Sequence, residues 1–197
     1  MQLVIVDTGC ANISSVYFAF KRLGVDATIS RDAKVIKAAD KVLLPGVGTA
    51  HNAMAKIEQA ELIDTLQGLQ QPLLGICLGM QMLTSHSMEG DVGCLNLIPG
   101  EVLPMQSAGL RLPHMGWNTL HSISEHPLMR GFSVTDYVYF VHSFAVAPGP
   151  HALALCHYGS DFAAVIAKDN VAGAQFHPER SGKTGARLLQ NFLEWQL

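Results

Sequence analysis

The sequence predicts an α/β fold: a mixed, mostly parallel central sheet with helices on both faces and an antiparallel extension in the second half. Three observations carry this. Through the first half of the 197-residue chain, short runs of Val, Leu and Ile alternate with segments of helical period, the pattern of right-handed βαβ units on a parallel sheet. From about residue 92 to 170, Gly, Pro and short β-type runs take over. Residues 71–83 change period in mid-run, from a short apolar strand behind Pro72 to a helix in which Leu78 and Met82 lie four apart.

The elements follow in order. Residues 3–7 (Leu-Val-Ile-Val-Asp) form the first strand. Asn12 is suited to cap the next helix, where Ile13, Val16, Tyr17, Phe20 and Leu23 keep helical spacing and Gly24 closes the end in the C′ position. Residues 26–30 read as a second strand, 35–39 as a brief helix, and 42–44 as a third strand running into Pro45-Gly46-Val47-Gly48-Thr49. Ala53, Met54, Ile57 and Ala60 mark another helix, and the Pro72 strand then ends at Cys77. In the second half, 101–103, 111–112, 137–146, 152–157 and 162–167 are β-type runs, with a short helix near 127–130. Residues 171–176 make a last buried strand, ending in His177-Pro178-Glu179. The terminal helix, about 184–196, carries Leu188, Phe192 and Trp195 on one face, with Leu189 and Leu193 beside it. No linker, repeat or low-complexity segment interrupts the chain, so one domain over 1–197 is expected.

Composition removes several function classes. The net charge is −3 and Lys and Arg are scattered, which argues against a nucleic-acid partner. No stretch of 18 apolar residues occurs, and the N-terminus lacks a basic start and a cleavage site, so a cytoplasmic protein with no membrane span is expected. Cys10, Cys77, Cys94 and Cys156 are widely separated and form no CxxC pair, so free thiols are expected. His114/His121 and His151/His157 have no companion cysteines or HExxH frame; neither metal nor cofactor is expected.

Cys77 stands at the change of period, with Gly75 two before it and Gly79 two after it. This is the composition of a tight strand-to-helix elbow, in which absent side chains let backbones crowd and lift one side chain into the open. A helix N-terminus also favours the thiolate. A buried structural cysteine is the bland alternative. Ligands of parallel sheets sit beyond the carboxyl ends of the strands, and Asp7, the Gly46–Gly48 loop and Cys77 all lie at such ends. His177-Pro178-Glu179 taken alone is more often just a turn. Residues two apart on an extended chain project the same way, however, so Glu179 can hold the His177 ring and fix its tautomer. An elbow cysteine plus an acid-oriented histidine on the same sheet edge is the general recipe for an activated thiol nucleophile.

Gly75-Ile76-Cys77-Leu78-Gly79-Met80-Gln81 together with Phe176-His177-Pro178-Glu179 resembles the class I, triad-type glutamine amidotransferases. Four further stretches are similar to one branch of that class: Asp7-Thr8-Gly9 with Asn12-Ile13 and Ser15, Pro45-Gly46-Val47-Gly48, His114-Met115-Gly116-Trp117-Asn118, and Tyr139-Phe140-Val141-His142-Ser143. That branch comprises the glutaminase subunits of imidazole glycerol phosphate synthases, from histidine biosynthesis. The resemblance runs from Asp7 to the terminal helix and implies a flavodoxin-like amidotransferase fold. It also implies glutamine hydrolysis through a Cys77 thioester, with His177 as base and Glu179 orienting it.

The oxyanion of that reaction needs two backbone donors. The Leu78 amide is one expected donor, and the Gly46-Val47-Gly48 loop the source of the other. Gln81, one helical turn after Cys77, is placed to hold the substrate's amino-acid end; by resemblance, Glu89 and the backbone around Ser143 do likewise. The resemblance further implies a heterodimer with a (β/α)8-barrel synthase subunit. That partner receives ammonia through a channel and makes imidazole glycerol phosphate and aminoimidazole carboxamide ribonucleotide. His114-Met115-Gly116-Trp117-Asn118 is the expected docking segment, against the alternative of a buried Trp in an ordinary turn, and Tyr139 is expected to border the ammonia exit. His142 either supports the site or is merely packed in its strand. Two other functions stay open: a glutaminase for another synthase, such as one making anthranilate or aminodeoxychorismate, and a non-enzymatic flavodoxin-like module with a redox-sensing Cys77. The latter leaves His177-Pro178-Glu179 idle.

Overall fold

A computed structural model describes residues 1–9, 12–106 and 108–197; Cys10, expected as a free thiol, lies outside them. The first half is built from β1 (Leu3–Val6), α1 (Ile13–Arg22), β2 (Thr28–Ser30), α2 (Ala33–Lys37), β3 (Lys41–Gly46), α3 (Ala50–Gln59), α4 (Ile63–Gln67), β4 (Leu73–Cys77) and α5 (Leu78–Met82). Then come β5 (His86–Ser87), β6 (Val92–Gly93), β7 (Glu101–Pro104), β8 (His114–Thr119), β9 (Tyr137–His142), β10 (Phe144–Val146), β11 (Ala152–Tyr158), β12 (Ser160–Lys168), β13 (Val171–Ala174) and α6 (Gly182–Glu194). Single 3-10 turns at Pro127–Met129 and Pro178–Arg180 complete the order.

The main sheet has seven strands in the order β11-β12-β13-β4-β3-β1-β2. Strands β2, β1, β3, β4 and β13 run parallel, and β12 and β11 continue the edge antiparallel. Apolar residues fill both of its faces, as the unbroken hydrophobic runs of β1, β3 and β4 require. On one face Phe20 of α1, Leu188 and Phe192 of α6, and Phe140 of β9 cover Ile5, Leu43, Leu74 and Ile76. On the other, Ile36, Ala53, Ile57, Leu66 and Leu78, from α2 to α5, cover Val4, Val6, Val42, Leu44 and Leu73. Helix α1 ends as expected: Gly24 has φ +82, its N–H donates to Lys21 O, and Val25 N–H donates to Phe20 O, which together form a Schellman cap. Asn12 holds the N-cap position of α1 but makes no side-chain capping bond.

The second half departs from one continuous extension. Among the described residues only β11 and β12 lengthen the main sheet; β10-β7-β5-β6 and β8-β9 form two small separate sheets. The run 137–146 breaks at Ser143, because β9 pairs with β8 while β10 pairs with β7. Residues 111–112 are not a strand: Leu112 is exposed, and the next residue, Pro113, has no N–H to offer a ladder. Residues 114–118, expected as a docking segment, lie in strand β8. Helix α4 and the two-residue strands β5 and β6 had no counterpart in the sequence reading. Among the described residues no helix is long and apolar enough to cross a membrane.

Candidate active site

The parallel strands β3, β4 and β13 lie side by side, with Gly46 opposite Cys77 and Ala174 opposite Ile76. Their tips therefore bring the Gly46–Gly48 loop, the cysteine and the His-Pro-Glu turn to one edge. Cys77 has φ +53 and ψ −113, a strained combination for any residue with a Cβ. The glycines around it permit the turn by close backbone approach. A Cβ on Gly79 would sit 1.9 Å from Leu44 O, one on Gly75 2.6 Å from Gly79 O, and one on Gly46 2.7 Å from Gly79 N.

Cys77, His177 and Glu179 line one cleft of about 280 Å³. His177 Nδ1 donates to Glu179 Oε1 at 2.8 Å, and both side chains are buried. In the neutral ring the proton is on Nδ1 and Nε2 is free to take a second; among the described residues neither Nε2 nor Glu179 Oε2 has a hydrogen-bond partner. Burial alone would lower the His177 pKa, but the neighbouring Cys77 and the Glu179 carboxylate outweigh it and raise it to about 10, which makes the ring a strong acceptor for the thiol proton before the sulfur attacks. The turn is tied down from behind. His177 N–H donates to Tyr139 O at 2.9 Å, Ser181 Oγ donates to His177 O at 2.7 Å, and Tyr139 N–H donates to Ser181 Oγ at 2.9 Å.

Of the other sequence-predicted site residues, Val47, Leu78, Gln81, Glu89 and Ser143 all line this cleft, with Gly48 beside them at φ +100. Gly46 lies one residue back, in β3. Gln81 is partly committed to the interior: its Nε2 donates to Phe144 O and to Gln175 Oε1, each at 2.9 Å. Glu89 Oε2 accepts from Ala50 N–H at the start of α3. Asp7 is absent from the lining; its carboxylate is taken by Arg31 at 2.5 Å and by Gly9 N–H, and the Arg31 bond holds its pKa below the usual range.

The alternation of β8 divides the expected docking segment. His114 points inward, stacked on Phe140 and Tyr158 with centroids at 4.8 and 4.0 Å, so it is not on the outer surface. Met115 (62% exposed) and Trp117 (55%) point outward, and Trp117 meets Tyr139 edge-on at 5.8 Å. The reading of Trp117 as buried in a turn is thereby excluded. Gly116 and Asn118 are half-buried, and Asn118 Nδ2 donates to His157 O at 3.0 Å. His142 lines the cleft, and burial pushes its pKa down to about 3.

Sequence reasoning missed Asn12, Val141, Phe144 and Arg180 among the lining residues. Arg180 stacks its guanidinium 5.0 Å from the Tyr139 ring, joining the cleft to the Trp117 face. It also missed Gln175, fully buried behind Cys77. A lone amide side chain between Ala174 and Phe176, in a run otherwise made of small and apolar residues, was the available signal.

An elbow cysteine beside a histidine–carboxylate pair, at the tips of adjacent parallel strands, has the arrangement of a triad-type thiol active centre. The sequence profile of the glutamine amidotransferase class-I family matches residues 4–195, and the chain belongs to that family. It is 56% identical to the imidazole glycerol phosphate synthase subunit HisH of Idiomarina loihiensis, over the whole of both chains. The HisH subunits of Colwellia psychrerythraea (97% of this chain, 92% of that one) and Haemophilus influenzae (98% of each) are each 53% identical. Among solved structures, one described as a glutamine amidotransferase superposes with a TM-score of 0.75 at 20% identity, covering 97% of each chain. PurLQS from Thermotoga maritima gives 0.71 at 21%, covering 98% of this chain and 97% of that one. These two share the fold.

Proposed function

We propose that this chain, read as one domain over 1–197, is the glutaminase subunit of an imidazole glycerol phosphate synthase. The observation that carries this is the meeting of Cys77, His177 and Glu179 in one cleft, in a chain whose relatives at 53–56% identity bear that enzyme's name. Cys77 Sγ attacks the side-chain carbonyl of glutamine, and His177 Nε2 takes the thiol proton and returns it to the departing ammonia. Glu179 keeps the ring in the Nδ1–H tautomer and stabilises the imidazolium. The oxyanion is met by the Leu78 N–H, one of the unpaired donors at the start of α5, and by an amide of the Gly46-Val47-Gly48 loop. Gln81, Glu89 and the backbone at Ser143 hold the amino-acid end of the substrate. Water then releases glutamate from the γ-glutamyl thioester.

A glutamine-like chloroketone is expected to label Cys77 and to stop glutamate release. Burial pushes the Cys94 and Cys156 thiols up to about 11 and about 12, so neither competes at neutral pH. Peptide mapping that found label on Cys10, Cys94 or Cys156, with Cys77 free, would overturn the assignment.

Ammonia that escapes into water is protonated and lost as a nucleophile, so the product passes directly to a docked (β/α)8-barrel synthase subunit, in a cytoplasmic heterodimer. Met115, Trp117, Tyr137 and Tyr139 make an outward aromatic and apolar face that runs through Arg180 to the cleft; this is the docking surface, with Tyr139 at the ammonia exit. Trp117→Ala is expected to weaken binding of the barrel subunit about 30-fold, the size of an interface hot spot, with unchanged circular dichroism. Equal affinity by calorimetry would remove Trp117 from the interface. A glutaminase for a chorismate-using synthase fits the same cleft, but the relatives at 53–56% identity bear the name of imidazole glycerol phosphate synthase. A redox module gives the His177–Glu179 pair nothing to do.

A further inference from the structure

We propose that Gln175 is a further catalytic residue: its side-chain amide donates a hydrogen bond to the Cys77 sulfur from behind the elbow and stabilises the thiolate. The inference rests on Cys77 being the nucleophile. Gln175 is fully buried, and its Nε2 lies 3.7 Å from Cys77 Sγ. The direction of its amide is set by a chain of bonds that begins at a group able only to accept, the Phe144 carbonyl.

Two donors converge on Phe144 O: His142 Nδ1 and Gln81 Nε2, each at 2.9 Å. The first contact puts the His142 proton on Nδ1. Its Nε2 then accepts from His114 Nδ1 at 3.1 Å, and His114 Nε2 faces Asn118 Nδ2 at 3.4 Å. Every member of this branch points its hydrogen toward the carbonyl. Burial keeps both rings neutral, as that arrangement needs: a second proton on either would set two donors face to face. The second contact puts the NH₂ end of Gln81 against the carbonyl. The same nitrogen reaches Gln175 Oε1 at 2.9 Å, so the end of Gln175 that faces the sulfur is its NH₂.

The sulfur thus has a donor on one side and, 3.9 Å away on another, the Val141 carbonyl, which accepts the S–H of the neutral thiol. Among titratable and charged side chains, His142, His177, Glu89, Glu179 and Arg180 share the cleft with it. An amide cannot take the proton, so Gln175 does not duplicate His177; its effect falls on the charged form of the sulfur. Being fully buried, it does not touch substrate, so its loss is read in kcat and in thiol acidity rather than in KM.

The test uses the full chain as wild type, Gln175→Glu and the volume-matched Gln175→Met. The rate of Cys77 alkylation by iodoacetamide is followed against pH, with the site mapped. Glutaminase kinetics are measured with the barrel subunit of an imidazole glycerol phosphate synthase. Gln175→Glu still accepts from Gln81 but sets a carboxylate oxygen against the sulfur; its alkylation midpoint is expected to rise by a pH unit or more, and that of Gln175→Met by less. In both, kcat is expected to fall ~10- to 100-fold, with KM within about twofold. Gln175→Met carries the test if Gln175→Glu fails to fold. A folded variant with the wild-type midpoint and kcat overturns the proposal and leaves the glutaminase reading intact. A loss confined to KM also overturns it. Wild type that alkylates at Cys77 yet releases no glutamate overturns the glutaminase reading itself.

Discussion

Cys77→Ala is expected to lower glutamate release by about four orders of magnitude or more, because removing the nucleophile of a triad leaves only binding and oxyanion contacts. The same position makes a second, opposite statement about stability. Ordinarily Gly is worse than Ala within regular structure by ~0.5–1 kcal/mol. At φ +53 and ψ −113 the order reverses, since a Cβ there costs ~1–3 kcal/mol and Gly removes that cost. Cys77→Gly, equally inactive, is therefore expected to melt about 2–4 °C above Cys77→Ala. Equal melting temperatures would mean that the elbow stores no strain.

Gly79→Ala is expected to cost more than any other single methyl group in the elbow. Its Cβ would stand 1.9 Å from Leu44 O and 2.9 Å from Leu44 C, and both neighbours are backbone of a central strand. No side chain can swing aside, so α5 must lift from β3. The penalty lies at or above the top of the usual overpacking range of ~1–3 kcal/mol. That corresponds to a fall in melting temperature of roughly 10 °C, or to loss of soluble protein. Gly93→Ala is the control, since a Cβ there meets nothing within 4 Å and the expected change is small. If both variants melt alike, close approach is not what requires Gly79. Glutaminase activity should fall with Gly79→Ala, because α5 carries the Leu78 amide.

What could be read from sequence and what could not divide along a physical line. The elbow and the His-Pro-Glu turn are encoded by neighbours within a few residues, so local spacing pointed to each, and their placement on one sheet edge joined them. The buried parallel strands announced themselves as unbroken apolar runs. The fate of 137–146 could not be read this way: its ten residues make one β-type run, and only pairing with two different partners breaks it at Ser143. Pairing between distant segments also decided which docking residues face outward. Once β8 is known to be a strand, His114 and Trp117, an odd number of positions apart, must lie on opposite faces. Gln175 was hidden for a related reason. Its role depends on Gln81 and Phe144, which are 94 and 31 positions away (175 − 81 and 175 − 144) and which no local pattern joins to it.

The position of β13 beside β4 also orders events on the ribosome. The elbow is complete once Met82 of α5 has been made, yet the imidazole and its carboxylate are added a hundred residues later (177 − 77 = 100). Until the last strand takes its place next to β4, Cys77 has neither His177 and Glu179 nor the buried amide of Gln175 beside it. A copy truncated anywhere short of Glu179 lacks part of this cleft and is therefore expected to release no ammonia from glutamine.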